Sequence, residues 1–176
     1  NFDNILLKNI KNFRGDISFA LKQTYEDIDK QMEPFTNENN EKIDPVAQTG
    51  TTAVTIVISK TENGELEMYT ANAGDSSGII LNNNELSEFT IKHNIDNEEE
   101  KERLTTDGIK YVKNKIAVTR SLGDHKYKKY IISDPFRTTI DNINNYHTII
   151  LISDGISDVL QNTKLDPTNG LVEFDY

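Results

Sequence analysis

Two β-branched runs separated by an Asn-Gly pair constrain this chain more than any other feature. Thr51 to Ser59 reads Thr-Thr-Ala-Val-Thr-Ile-Val-Ile-Ser, Leu66 to Ala71 follows, and Asn63-Gly64 lies between them. Branched side chains fit the pleated surface of a strand, and Asn-Gly supplies the left-handed backbone that a tight hairpin needs. The middle of the chain is therefore antiparallel sheet. Gly78-Ile79-Ile80-Leu81, then Asn82-Asn83-Asn84, then Leu86 to Ile91 extend the same pattern into an antiparallel meander.

Helices precede the strands. Phe2, Ile5, Leu6, Ile10 and Phe13 recur at helical spacing. After Gly15, Asp16 suits the N-cap of a second helix whose apolar stripe is Ile17, Leu21, Tyr25, Ile28 and Met32. Glu33-Pro34 ends it, and the polar, asparagine-rich residues 36–49 read as a mobile surface loop. Asn97 to Thr106 reads as a short exposed helix whose acids serve solvation and the helix dipole. Ile109 to Val118 reads as two short strands around Lys113-Asn114, and the tail from Gln161 to Tyr176 shows a turn at Asp166-Pro167 and no clear period. Helices followed by many short strands indicate an α+β domain.

A further stretch carries candidate chemistry. His147 to Ile152 is a β-branched run of the kind buried on both faces, and it stops at Ser153-Asp154-Gly155. A carboxylate at the mouth of a strand is held by a stiff element, and Gly155 leaves room for close approach. Asp158 follows Asp154 by four residues, so both lie on one side of a helix starting there. Two oxygen ligands so placed suit a hard cation such as Mg²⁺ or Mn²⁺. Asp154 also suits a simple helix N-cap. Small residues and acids recur at strand ends: Thr49-Gly50-Thr51-Thr52-Ala53 opens one strand, Ala71-Asn72-Ala73-Gly74-Asp75-Ser76 closes the next, and Ala117 to Gly123-Asp124 is a third turn. Asp75 faces Asp154 if its strand end meets that of the 147–152 run, while Gly74, Gly123 and Asp124 are turn chemistry.

Charge excludes some partners. The chain of 176 residues carries 29 acids against 19 bases, a formal charge of -10, which repels phosphate backbones and anionic membrane surfaces and favours cations. Nucleic-acid binding is not expected. The absence of Cys removes disulfides, thiolate metal sites and cysteine nucleophiles together. No apolar run approaches the roughly 20 residues of a membrane span, so no membrane insertion is expected and the cytoplasm is the expected compartment. No phosphate-cradling Gly-Lys-Ser/Thr loop or dinucleotide fingerprint occurs, and His93, His125 and His147 show no ligand spacing. Lys126, Lys128 and Lys129 with Tyr127 and Tyr130 form a local basic, aromatic patch. A start at Asn1 rather than Met reads as a fragment.

Taken in order, these blocks resemble the metal-dependent protein serine/threonine phosphatases of type 2C. Gly50-Thr51-Thr52-Ala53 resembles the family's Gly-Ser/Thr-Thr-Ala strand start, and Ala71 to Ser76 its Ala-Asn-x-Gly-Asp-Ser block. Glu100-Lys101-Glu102-Arg103 is similar to its Glu-x-x-Arg helix, Ala117 to Asp124 to its Ala-Val-Ser-Arg-x-Leu-Gly-Asp block, and Ser133-Asp134-Pro135 to a later Glu-Pro pair. Ser153 to Leu160 resembles the Asp-Gly-x-x-Asp-Val signature. The resemblance covers roughly residues 1–160. It implies a single, partial domain over residues 1–176: an antiparallel β-sandwich flanked by helices, lacking the first and last strands of the family fold. It implies hydrolysis of phosphoserine and phosphothreonine in a phosphoprotein substrate, with two Mn²⁺ or Mg²⁺ ions per intact site. Asp154 matches a ligand of the paired metals, Asp75 and Asp158 match carboxylates near a further metal, and Thr52 and Gly155 lie beside them. The family's Asp-Gly-His-Gly-Gly and late Asp-Asn blocks have no counterpart in the sequence. Ser77 stands where the family has arginine and Ser157 where it has tryptophan. A second expectation is a phosphatase-like domain without a metal centre that serves as a scaffold or regulatory subunit.

Overall fold

The computed structural model describes residues 1–33, 49–82, 85–143, 148–161, 163–165 and 172–174. The loop expected over residues 36–49 lies outside them except for Thr49, as do His147 and the Asp166-Pro167 turn.

Two helices open the chain, α1 (Phe2–Asn12) and α2 (Ile17–Gln31). Asp16 caps α2 as its position predicts, its Oδ1 accepting from the Phe19 amide at 2.9 Å. The helices are tied by polar contacts as well as by packing: buried Asn9 donates from Nδ2 to Thr24 Oγ1 at 3.1 Å and to Asp27 Oδ2 at 3.0 Å.

Strand β1 (Gly50–Thr51) leads into β2 (Ala53–Lys60), and β3 (Leu66–Ala73) returns beside it in the register Ala53↔Ala73 to Lys60↔Leu66. Gly64 sits in the turn at φ 85°, left-handed as expected, while Asn63 is not, and residues 61–65 connect the strands instead of a two-residue turn. The alternation along these strands decides which layer each residue enters. Ala53, Val57, Tyr69, Ala71 and Ala73 pack under Leu21 and Tyr25 of α2. Val54, Ile56, Leu66 and Met68 face the other way, onto Ile80 and Ile149 of a second sheet. The Tyr25 hydroxyl, buried with its ring, donates to Ala71 O at 2.9 Å and pins the helix layer to the sheet.

The second sheet contains β4 (Ser77–Asn82) and β5 (Glu85–Glu88). Here the meander expectation is corrected. The turn Gly74–Ser76 carries the chain from the first sheet into the second instead of continuing one sheet, so β3 and β4 are not neighbours. Two short helices follow, α3 (Glu98–Arg103) and α4 (Thr106–Lys115), then β6 (Leu122–Gly123), a 3-10 turn at His125–Tyr127, β7 (Phe136–Ile140) and β8 (Thr148–Ile152). α5 (Asp154–Gln161) and the hairpin β9 (Thr163–Leu165) and β10 (Val172–Phe174) close the described chain. The sheets run β2-β3-β7 and β5-β4-β8, with β1 paired to β6 and β9 to β10, all antiparallel. An antiparallel β-sandwich with helices outside it is the expected class.

Three local expectations are overturned. Residues 109–115 are helical rather than two strands, because Thr105 caps the Gly108 amide at 3.2 Å and Ile109, Val112 and Ile116 then share one face with Val112 fully buried. The acids of α3 are not all solvated, since Glu100 is 1% exposed. Strand β8 is not covered on both faces: Thr148 and Leu151 are exposed, Leu151 at 48%.

Candidate functional site

Strand register assembles the site. Ser77↔Ile152 is the last pair of the β4–β8 ladder, so Asp75-Ser76 and Ser153-Asp154 emerge together from one end of the second sheet. Ala53↔Ala73 does the same in the first sheet for Thr52 and Gly74, and Gly50↔Gly123 brings in Asp124. A cleft of about 590 Å³ lies between these ends, lined by hydroxyl-bearing residues, chiefly Thr51, Thr52, Ser76, Ser121 and Tyr127, and by three carboxylates, Asp75, Asp124 and Asp154. Among the described residues no lysine or arginine lines it.

Two glycines set how tightly the turns close. Gly74 has φ 109°, and a Cβ there would collide with the Thr52 side chain. That contact lets Thr52 Oγ1 and Ser76 Oγ lie 2.8 Å apart and brace the two strand ends. A Cβ at Gly50 would strike the Asp124 carboxylate. Asp124 is a structural turn residue, as expected: it is left-handed at φ 49°, its amide donates to Thr49 O at 2.8 Å, and its Oδ2 accepts from Ser121 Oγ at 2.6 Å. Gly123, also left-handed, donates its amide to Asp29 Oδ1 at 2.8 Å and ties the turn to α2. A Cβ at Gly155 would meet Ser153 Oγ at 4.0 Å, an ordinary contact.

The three acids expected together are distributed over two places. Asp154 begins α5, exposed at the cleft, with Oδ1 accepting from the Gly155 amide at 2.8 Å. It is the first helical residue, so the N-cap position falls to Ser153. Asp75 lies across the cleft. Burial pushes its carboxyl above the ordinary value; its own backbone amide opposes that, the charge of Asp154 adds to it, Lys92 opposes and Asp158 adds. Asp158 lines a separate depression together with Lys92, Asn94, Asp96 and Asn97. There its Oδ1 lies 2.9 Å from Lys92 Nζ.

Oxygen-only donors at Asp154 and Asp75 fit a hard divalent cation, and neither forms an ion pair among the described residues. Mg²⁺ in particular is held by one or two carboxylates together with substrate phosphate. The outer position at Asp158 does not fit, because an ammonium already stands there. Among the described residues, no group of three or more His, Asp or Glu side chains is arranged to hold an ion.

Behind the cleft lies a network that spacing alone did not reveal. Glu100 accepts from Arg120 Nε at 2.9 Å and from Arg120 Nη2, from Arg103 Nη2 at 3.0 Å, and from Thr119 Oγ1 at 2.6 Å. Burial alone would raise its carboxyl, but these charge-assisted bonds outweigh it and hold Glu100 below the ordinary range. Arg120 Nη1 also donates to Asp134 O at 2.8 Å. The loop bearing Ser121 and Asp124 is therefore anchored from α3. His93, 1% exposed, joins that loop to the Gly74 turn: its amide donates to Gly74 O at 3.0 Å and its carbonyl accepts from the Thr119 amide at 2.9 Å. Burial and then the charge of Arg120 push its imidazole down to about 4, so the ring is neutral at pH 7. The Glu-x-x-Arg spacing was the available signal for Glu100; Lys92 had none. The basic patch is partly structural, since Lys128 Nζ binds Asp29 Oδ1 at 2.7 Å.

Comparison with known proteins gives a consistent set of likenesses. Residues 3–165 match the family Protein phosphatase 2C. The chain is 30% identical over 173 residues to human Protein phosphatase 1A, covering 90% of this chain and 41% of that protein. It is 30% identical over 151 residues to mouse Protein phosphatase 1B, covering 78% of this chain and 36% of that one. The chain thus spans about two-fifths of the length of these relatives. Among solved structures, a C. elegans sex determining protein superposes with a TM-score of 0.69 at 21% identity, covering 90% of this chain and 39% of its own. A bacterial serine phosphatase gives a TM-score of 0.55 at 21% identity, with coverage of 81% and 52%.

Proposed function

The chain belongs to the protein phosphatase 2C family, and from that membership we propose that it contributes the cleft in which phosphoserine and phosphothreonine of a protein substrate are hydrolysed with the help of Mn²⁺ or Mg²⁺. The observation that carries this reading is the lining of the cleft: three carboxylates, a row of hydroxyls and, among the described residues, no basic one. A phosphate dianion entering such a space is repelled by every fixed charge in it. A cation held by the carboxylates would offset that repulsion. The volume suits a phosphorylated side chain with its flanking backbone.

Asp154 and Asp75 are the residues that would hold the ion, presented from the ends of β8 and β3. A divalent ion there supplies charge against the phosphoryl oxygens and lowers the pKa of water. This chain's own residues supply rigidity and orientation. The Thr52–Ser76 contact and the Ser121–Asp124 bond fix the two walls, and the hydroxyls offer neutral hydrogen bonds to a phosphate without adding charge. With two carboxylates at the position, ion binding strengthens as pH rises and Asp75 ionises.

The test is release of phosphate from a phosphothreonine peptide by the protein carrying this sequence in its natural context. Turnover that requires Mn²⁺, stops with chelator and falls at least about a hundredfold in Asp154→Asn supports the reading. A folded protein that releases no phosphate across the Mn²⁺ range refutes it. That outcome would favour the second reading, a phosphatase-like binding domain, for which the Lys92–Asp158 pair is the specific observation.

A further inference from the structure

At the position where a further metal is expected from the family pattern, the ammonium of Lys92 meets the Asp158 carboxylate. Lys92 Nζ lies 2.9 Å from Asp158 Oδ1 and 3.3 Å from the Oγ of buried Ser157. Its backbone is clamped on all sides. The preceding Ile91 amide donates to Asn72 Oδ1 at 3.3 Å, the following His93 amide donates to Gly74 O at 3.0 Å, and Lys92 O accepts from Asn97 Nδ2 at 3.3 Å. The side chain therefore starts from a fixed point on the segment held against the turn that carries Gly74 and Asp75. Its charge acts on Asp75 in opposition to Asp154 and Asp158.

We propose that Lys92 is a built-in cation that takes the place of the outer divalent ion, so that this chain binds no metal at Asp158. The pair is not there for stability: the Asp158 side chain is 62% exposed, and ion pairs in water contribute little. Its effect is on charge balance. One ammonium offsets part of the repulsion among Asp75, Asp154 and Asp158 without needing free metal. It also repels any second cation from Asp158, which by itself binds Mg²⁺ weakly because that ion dehydrates reluctantly. Ser157 completes the arrangement: its hydroxyl is small enough to leave Nζ a path and polar enough to accept from it.

The inference rests on the reading of the main cleft as a cation site, and the test separates the two. Mn²⁺ binding is followed by loss of the free-ion EPR signal on the 176-residue chain, Asp154→Asn, Asp158→Asn, Lys92→Met and Lys92→Met/Asp158→Asn. In the unsubstituted chain, binding is expected to be lost in Asp154→Asn and unchanged in Asp158→Asn. Lys92→Met is expected to add a second ion at least about tenfold tighter than any second ion of the unsubstituted chain, and the added Asp158→Asn to remove it. Its melting temperature should barely move. A second ion already present in the unsubstituted chain and lost in Asp158→Asn overturns the inference, without use of any Lys92 variant. So does a folded Lys92→Met, or the alternative Lys92→Gln, that gains no Asp158-dependent ion. Mn²⁺ binding indifferent to Asp154→Asn refutes the cleft reading instead.

Discussion

Replacing Glu100 by glutamine is the sharpest perturbation of the scaffold behind the cleft. The side chain is 1% exposed and nearly isosteric with its replacement, so no cavity forms and no new volume must be fitted. What changes is charge and one acceptor. Glu100 Oε1 serves Arg120, and Oε2 serves Arg103 at 3.0 Å and Thr119 at 2.6 Å. An amide keeps one oxygen and turns an NH₂ toward donors on the other side. At least one guanidinium is left facing a donor in a buried site. Breaking a buried charged pair from one side costs about 3–5 kcal/mol, and the retained carbonyl places Glu100→Gln near the lower end, about 3 kcal/mol. Against a typical domain stability of about 5–15 kcal/mol that is a large fraction. With a urea m-value near 2 kcal/mol/M the midpoint would fall by about 1.5 M. Acid titration supplies an independent check. Glu100 is held below its ordinary value when folded, so its contribution is present above about pH 4.5 and lost as pH falls below it. His93 is pushed down to about 4, so its contribution is present above about pH 6.5 and lost as pH falls from there through about 4. In Glu100→Gln the loss between pH 6.5 and 4.5 should persist, while the steeper loss below pH 4.5 should flatten. Equilibrium urea unfolding from pH 3.5 to 8 measures both. A stability loss under about 1 kcal/mol at pH 7, or an acid limb unchanged by the substitution, would refute the claim that Glu100 is an ionised hub.

Two further outcomes are expected. Gly50→Ala drives a methyl into the Asp124 carboxylate and breaks its bond to Ser121; a loss of about 1–3 kcal/mol in thermal unfolding is expected, together with a weaker Mn²⁺ response, and an unchanged melting curve would contradict the packing described. Tyr25→Phe removes the donor to Ala71 O and the contact to Thr55 Oγ1 at 3.0 Å; it should cost about 1–2 kcal/mol by urea titration, and a neutral result would mean water replaces the hydroxyl freely.

Among the described residues no helix is long and apolar enough to cross a membrane.

Local pattern was readable wherever one side-chain period or one cap settled the matter. The α2 stripe, its Asp16 cap and the Asn63-Gly64 hairpin follow from interactions within a few residues, which a linear sequence displays. The 109–115 segment misled because Ile, Val and Tyr there suit either element; the Thr105 cap and the burial of Val112 decided for a helix. Buried on both faces was the wrong reading of β8 for a related reason: an apolar run shows what a strand could bury, not how many neighbours cover it.

The candidate site divides along the same line. Asp75 and Asp154 were visible as acids at strand ends, and the order of the blocks pointed to the family. Their meeting depends on the Ser77↔Ile152 register, a pairing between segments more than seventy residues apart that no local signal encodes. The sequence by itself determined the β2–β3 hairpin, the turn glycines, the acidic character and the family. Only the tertiary structure decided that Glu100 is a buried ionic hub, that His93 is neutral, and that Lys92 meets Asp158. The physical reason is that charge takes its meaning from distance and dielectric. Both are set by which distant segments pack together, not by the spacing of residues along the chain.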